Sequence, residues 1–325
     1  MKPRILVTRE VFDETLDYLA LHCDIESNQQ DAAFAPDVLA RHLADKVGVM
    51  CCLTDRIDAG LLDACPQLKA IANIAVGYNN IDLAACTARG IMATNTPGVL
   101  DDSTADLAWA LMLATARRIT EVESCIRAGQ WTGWRLKQWL GVDVHHATLG
   151  IIGMGRIGQA IARRAAGFDM KVIYNNRKRV APEIEQRLGA VYMGKDELLA
   201  QADFVVLQVP YSPATHHLIG AAELAKMKSS AILINSTRGG VINDAALIEA
   251  LNNGALRGAG LDVFENEPRL NPAFLQLKNV VLTPHIGSST EATRRAMAMT
   301  AAKNLVAALT GGNPPNLLNP EAGKK

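Results

Sequence analysis

The chain lacks the features that would commit it to a charged polymer or a membrane. Its 33 lysines and arginines are matched by 33 aspartates and glutamates, so no global field draws it toward nucleic acid or an anionic bilayer. No apolar run approaches the roughly 20 residues that span a bilayer. The opening segment, Met1 to Thr8, carries one short apolar run, which reads as a strand and not as the apolar core and cleavage site of a signal peptide. There is no internal repeat and no low-complexity stretch, and the tail from Gly311 to Lys325 is expected to be irregular. The six cysteines (Cys23, Cys51, Cys52, Cys65, Cys86 and Cys125) form no Cys-x-x-Cys pair and no cysteine–histidine ligand spacing. They read as buried reduced thiols, which suits a reducing cytoplasm, and no metal is expected.

What is present is an ordinary core-forming composition, 49% hydrophobic and 20% charged over 325 residues, enough for two domains. The first hundred residues alternate helical stretches with short apolar runs, and Arg4 to Thr8, Val47 to Leu53, Leu68 to Val76 and Ile91 to Thr94 read as strands. Asp101-Asp102-Ser103 opens a helical pattern that ends at Arg117-Arg118 and reads as one long helix between the domains. Alternation restarts with strands at Leu149 to Ile152, Lys171 to Tyr174, Phe204 to Gln208, Ala231 to Asn235, Gly258 to Val263 and Val280 to Thr283. Such alternation predicts parallel α/β layers, and six strands suit a dinucleotide-binding sheet. A last helix is expected from Glu291 to Leu309, after which a Gly-Gly-Asn-Pro-Pro segment returns to the first domain.

The strongest single motif is Gly153-Met154-Gly155-Arg156-Ile157-Gly158, between the first of these six strands and a run of helix-forming residues. That order is the strand, tight turn and helix of a dinucleotide site, whose glycines admit close approach and whose helix N-terminus meets the pyrophosphate. About twenty residues on, where an Asp or Glu would hold the adenosine ribose, the chain reads Asn175-Asn176-Arg177-Lys178-Arg179. A carboxylate there repels a 2′-phosphate, whereas guanidinium groups bind one, so NADPH is favoured over NADH. Arg177 is the main candidate, with Lys178 or Arg179 assisting. The competing reading is three cations that simply solvate a loop.

Arg238, Glu267 and His285 each follow an apolar strand run, in Asn235-Ser236-Thr237-Arg238-Gly239-Gly240, Leu261-Asp262-Val263-Phe264-Glu265-Asn266-Glu267-Pro268 and Thr283-Pro284-His285-Ile286-Gly287. Strand C-termini are where doubly wound sheets bind ligands, and together these residues make an acid–base and anion-binding set.

In that order, the mid-chain glycine turn, Arg-Gly-Gly, Leu-Asp-Val-Phe-Glu-x-Glu-Pro and Pro-His-Ile-Gly segments resemble the D-isomer-specific 2-hydroxyacid dehydrogenases over nearly the whole length. Within the family they are most similar to the bacterial glyoxylate/hydroxypyruvate reductases, also called 2-ketogluconate reductases. The resemblance implies a Rossmann cofactor domain at 101–287, with a dimerisation arm, and a flavodoxin-like substrate domain at 1–100 and 288–325, both doubly wound parallel sheets. It implies His285 as general acid, Glu267 as its hydrogen-bonded partner and Arg238 as the clamp on carboxylate and carbonyl oxygen. Each role suits the residue type: histidine donates a proton near neutral pH, a neighbouring carboxylate favours its charged form, and arginine offers a planar fork. Val76-Gly77-Tyr78 matches the loop that offers amides to the substrate carboxylate, with Asn79 where relatives often have Asp. By the same carry-over Thr104 approaches the cofactor, Asp262 holds the carboxamide, Val209 and Pro210 line the adenine, Thr237 backs the nicotinamide, and Thr215 and Gly287 complete the cofactor shell. Trp131, Trp134 and Trp139 crowd the segment that forms the arm in relatives, which implies a homodimer with Trp139 near the partner's active site. The expected activity is NADPH-preferring reduction of glyoxylate or hydroxypyruvate, with 2-ketogluconate third. The alternatives are an NAD-dependent dehydrogenase of phosphoglycerate or D-lactate and, ranked far lower, a cofactor-gated scaffold.

Overall fold

The structure, a computed structural model, describes residues 1–322. The last three residues of the tail expected to be irregular, and of the expected 288–325 segment, lie outside it. The chain divides into two compact units, Met1–Leu100 with the chain from Ser289 onward, and Asp101–Ser288.

In the first unit five strands, β1 (Arg4–Val7), β2 (Asp24–Ser27), β3 (Gly48–Cys51), β4 (Ala70–Asn73) and β5 (Met92–Thr94), form an all-parallel sheet ordered β2-β1-β3-β4-β5. This is the flavodoxin-like order. β2 was not expected: Asp-Ile-Glu-Ser holds one apolar residue and lies at the sheet edge, where one side goes unpaired and the apolar run of a central strand is absent. The helix Glu291–Leu309 packs across β3, β4 and β5. It lies so close to β3 that a Cβ on Gly48 would come within 2.8 Å of Leu309. The segment beyond it returns to the sheet edge, where Leu317 pairs with Thr94 and the Asn319 amide both accepts from the Ala93 N–H (2.9 Å) and donates to the Ile91 carbonyl (2.9 Å).

The second unit holds seven parallel strands, β6 (Thr148–Ile152), β7 (Lys171–Asn175), β8 (Ala190–Tyr192), β9 (Phe204–Leu207), β10 (Ile232–Asn235), β11 (Gly258–Leu261) and β12 (Val280–Leu282), ordered β8-β7-β6-β9-β10-β11-β12. The three-residue edge strand β8 is the seventh, beyond the six expected. Central strands β9, β10 and β11 are buried throughout, as a sheet covered on both faces requires. The helix Asp101–Ala116 belongs wholly to this unit and packs on β10, β11 and the helix Arg156–Ala165. It ends at Ala116, where the pattern closing at Arg117-Arg118 places its C-terminus; Arg118 then adopts a left-handed φ of 56°, and a separate helix, Ile119–Arg127, follows. Strand order reverses between β6 and β9, and the crevice at such a switch point, at the strand C-termini, is where this architecture binds ligands. Among the described residues no helix is long and apolar enough to cross a membrane.

Candidate active site

The glycine turn follows β6 directly. Gly153 has φ 109°, and a Cβ there would lie 2.2 Å from the Gln208 carbonyl oxygen at the end of β9, so only glycine lets the two strand ends close. Gly158 is confined equally, 2.2 Å from the Gly153 oxygen. Gly155 differs: nothing lies within 4 Å of its Cβ position, and it caps the N-terminus of the ten-residue helix Arg156–Ala165. Open space before the first amides of this helix, which have no intrahelical acceptor, is what a pyrophosphate requires. The Met154 N–H is taken internally by the Asn176 side-chain oxygen at 2.7 Å.

Beyond β7 the basic loop is not uniform. Arg179 is held by Glu185 through two contacts of 2.7 Å, and Glu185, also bound by Tyr174, is drawn down to about 2. That engages the guanidinium of one expected helper. Arg177 and Lys178 form no ion pair among the described residues, and Asn175 spends its amide on the Met193 carbonyl at 2.8 Å. Thr215 turns its hydroxyl to the Pro210 carbonyl at 2.7 Å, bracing the loop that carries Val209 and Pro210.

Arg238, Glu267 and His285 lie on the loops after β10, β11 and β12. His285 Nδ1 is 2.8 Å from Glu267 Oε2, and the other carboxylate oxygen accepts the Phe264 N–H at 2.9 Å. Burial alone would push the Glu267 carboxyl up, but the His285 hydrogen bond and charge, the Phe264 N–H and the Arg238 charge hold it below its ordinary value. Burial lowers the Arg238 guanidinium and Glu267 opposes the shift; Arg238 Nη1 donates to the Thr237 carbonyl at 2.7 Å. Thr237 is fixed by Asn235, whose side-chain oxygen accepts from its N–H and hydroxyl.

Asp262 is fully buried, and its carboxylate accepts from Thr283 Oγ1 (2.6 Å), Ile286 N–H (2.8 Å) and Gly287 N–H (2.9 Å). These bonds shape the turn in which His285 takes a left-handed φ of 56°. Buried Thr104, on the first turn of its helix, lies against Gly287, 3.4 Å from its Cβ position.

Residues 109–287 match the family model for the NAD-binding domain of D-isomer-specific 2-hydroxyacid dehydrogenases. The chain is 47% identical to the glyoxylate reductase of Thermococcus onnurineus, covering 99% of this chain and 97% of that protein. The chain belongs to the D-isomer-specific 2-hydroxyacid dehydrogenases. Among solved structures, the dehydrogenase superposes on a glyoxylate reductase from Paecilomyes thermophila with a TM-score of 0.89 at 34% identity, covering 98% of this chain and 99% of that one. It superposes on an NADPH-dependent glyoxylate/hydroxypyruvate reductase of Sinorhizobium meliloti, in complex with NADP and malonate, with a TM-score of 0.88 at 33% identity, covering 99% and 98%. It is thus an enzyme that uses a nicotinamide dinucleotide to interconvert 2-oxo and D-2-hydroxy acids.

Val76 and Gly77 lie in the first unit, where Asn95 and Asn73 bind their carbonyls at 2.8 and 3.0 Å; their own amides make no hydrogen bond among the described residues. No cysteine of the dehydrogenase is disulfide-bonded, and burial raises Cys52 to about 12 and Cys86 to about 11, values at which a thiol is inert. No His, Cys, Asp or Glu cluster among the described residues is arranged for a metal. Sequence reasoning missed a second histidine–carboxylate pair, His217 with Glu265, and the buried Asp244 behind it. No motif marks them, because they come from three separate stretches of chain: the loop after β9, the loop after β11 and the start of the helix Asp244–Asn252.

Proposed function

We propose that this dehydrogenase reduces small 2-oxo acids, glyoxylate and hydroxypyruvate foremost and 2-ketogluconate third, with NADPH preferred over NADH. The observation that carries the reading is the 2.8 Å contact between His285 Nδ1 and Glu267 Oε2, with Arg238 on the adjacent strand end. Because Nδ1 faces the carboxylate, Nε2 is the nitrogen left to deliver a proton. When bound, the dihydronicotinamide supplies a hydride to the carbonyl carbon. Arg238 then clamps the carboxylate and the developing alkoxide, His285 gives its Nε2 proton to that oxygen, and Glu267 supports the imidazolium before transfer. The unused amides of Val76 and Gly77 are the proposed further donors to the substrate carboxylate. Arg177, with Lys178, is the proposed 2′-phosphate ligand. The relatives named for glyoxylate reduction, and the neighbour named as NADPH-dependent, support the substrate and cofactor choices.

The segment before β6 exposes Trp134 (79%), Leu136 (75%) and Trp131 (56%), three large apolar side chains close together in the chain. We take it as the homodimer arm; sedimentation showing a monomer at micromolar concentration would remove that assignment.

The test is steady-state kinetics with both cofactors against a panel of 2-oxo acids. Glyoxylate and hydroxypyruvate should give the highest kcat/KM with NADPH. His285→Ala should lower kcat about 100-fold or more with NADPH affinity nearly intact, and Glu267→Gln should move the alkaline fall of activity to lower pH. An unmoved profile in Glu267→Gln removes Glu267 from the mechanism.

A further inference from the structure

The loops after β9, β10 and β11 are tied by contacts that the proton delivery does not use. His217 Nε2 lies 2.5 Å from Glu265 Oε1, and its Nδ1 is 3.3 Å from the Asn243 amide nitrogen. The Asn243 side-chain oxygen is occupied by the Ala246 N–H at 3.0 Å, which sets the amide so that its NH2 donates to Nδ1. Nε2 then carries the proton shared with Glu265. The His217 N–H donates to the Gly240 carbonyl at 2.7 Å, and Asp244 Oδ2 accepts the Glu265 N–H at 3.1 Å. Gly240 is two residues from Arg238, and Glu265 is two residues from Glu267.

We propose that His217, Glu265 and Asp244 are positioning residues, a clasp that holds the Arg238 loop against the Glu267 loop and keeps the Glu267 carboxylate aimed at His285. The proposal rests on the reading of His285 and Glu267 given above. Two observations favour positioning over plain stabilisation. The His217 and Glu265 side chains are half-buried, 35% and 29% exposed, so solvent still screens part of their attraction and the pair's contribution to stability is modest. Asp244 is buried, and burial raises its carboxyl to about 6, helped by Glu265 and Glu267 and opposed by the Glu265 N–H and His217. A carboxylate kept where ionisation is unfavourable is there for its hydrogen bond. Loosening the clasp lets the Glu267 loop drift, and a misplacement near 1 Å costs up to about 100-fold in rate.

The experiment compares Glu265→Ala, His217→Ala, Glu265→Gln and Glu267→Gln in the full-length enzyme, measuring kcat, NADPH affinity, melting temperature and the pH profile of kcat/KM. Glu265→Ala and His217→Ala should each lower kcat about tenfold and shift the alkaline limb in the direction of Glu267→Gln, with NADPH affinity and melting temperature near wild type. Glu265→Gln, whose amide oxygen still accepts from His217, should recover most of the rate. If Glu267→Gln moves the limb while both alanine variants leave limb and kcat at wild-type values, the clasp is wrong and the proton-delivery reading stands. If Glu267→Gln leaves the limb in place, that reading fails and takes the clasp with it.

Discussion

Replacing Gly239 with alanine should cripple turnover more than it harms the fold. A Cβ at Gly239 would sit 1.7 Å from the Phe264 carbonyl oxygen, 2.3 Å from its carbon and 2.9 Å from the Glu265 nitrogen. All three are backbone atoms, so no side chain can rotate away. Reaching ordinary contact requires the two loops to part by about 2 Å. Overpacking of this kind costs about 1–3 kcal/mol of stability, which a domain of this size survives. The parted loops carry Arg238 on one side and Glu267 on the other, and displacement on that scale should lower kcat/KM about 100-fold, close to 2.7 kcal/mol of transition-state stabilisation. Gly155→Ala is the contrast: with nothing within 4 Å of its Cβ position, its melting temperature should match wild type, while the methyl group occupies the space proposed for the pyrophosphate and weakens cofactor binding. The assay is loss of nicotinamide absorbance with glyoxylate, paired with cofactor titration and thermal melts. A Gly239→Ala enzyme within threefold of wild-type kcat/KM would refute the claim that apposition of these two loops sets the active geometry.

Arg238→Lys keeps the charge but loses the planar fork, so KM for glyoxylate should rise sharply and kcat should fall; steady-state kinetics close to wild type would remove the clamp. Arg177→Ala should reduce the NADPH to NADH ratio of kcat/KM by about 10- to 100-fold, the value of one charge-assisted contact, and added salt should weaken the wild-type preference. Combining it with Asn175→Asp should invert the preference, at a stability cost of about 1–3 kcal/mol, because the Asn175 amide donates to the Met193 carbonyl and a carboxylate cannot. An unchanged ratio in Arg177→Ala means the loop is merely solvated. Asp244→Asn should stabilise the protein at pH 8 and not at pH 4. A carboxyl raised from 3.8 to about 6 on folding keeps its proton longer in the native state, so wild-type stability falls as pH rises between those values. Removing the charge should recover about 1–3 kcal/mol above that window, read as a shift in urea midpoint.

The second unit was legible because its central strands are uninterrupted apolar runs and the glycine turn sits between one of them and a helix. Arg238, Glu267 and His285 could be placed at strand ends for the same reason. What escaped lacks that signal. β2 and β8 are edge strands with one apolar residue and with only three residues, and such segments are held by their neighbours and not by their own pattern. The engagement of Arg179 by Glu185, itself held by the Tyr174 hydroxyl, was hidden because charge counting along a loop says nothing about which cation already has a partner. His217 and Glu265 stand 48 residues apart and meet only because β9, β10 and β11 are adjacent in the sheet.

Strand adjacency also sorts the carboxyl groups near His285 into different tasks. Glu267 is the one whose surroundings favour the charge: His285, the Phe264 N–H and Arg238 outweigh burial, so its carboxyl is held below its ordinary value beside the histidine. Asp262 accepts three hydrogen bonds and is still pushed upward, because it lies fully out of solvent. Its oxygens accept from Thr283, Ile286 and Gly287, bonds that brace the turn carrying His285. Asp244 is raised as well and grips the Glu265 backbone. Environments that drive neighbouring carboxyls in opposite directions mark which one serves the chemistry. Of these three carboxyls, Glu267 combines a lowered value with direct contact to the histidine, which is why the pH profile of Glu267→Gln is the measurement on which the proton-delivery reading stands or falls.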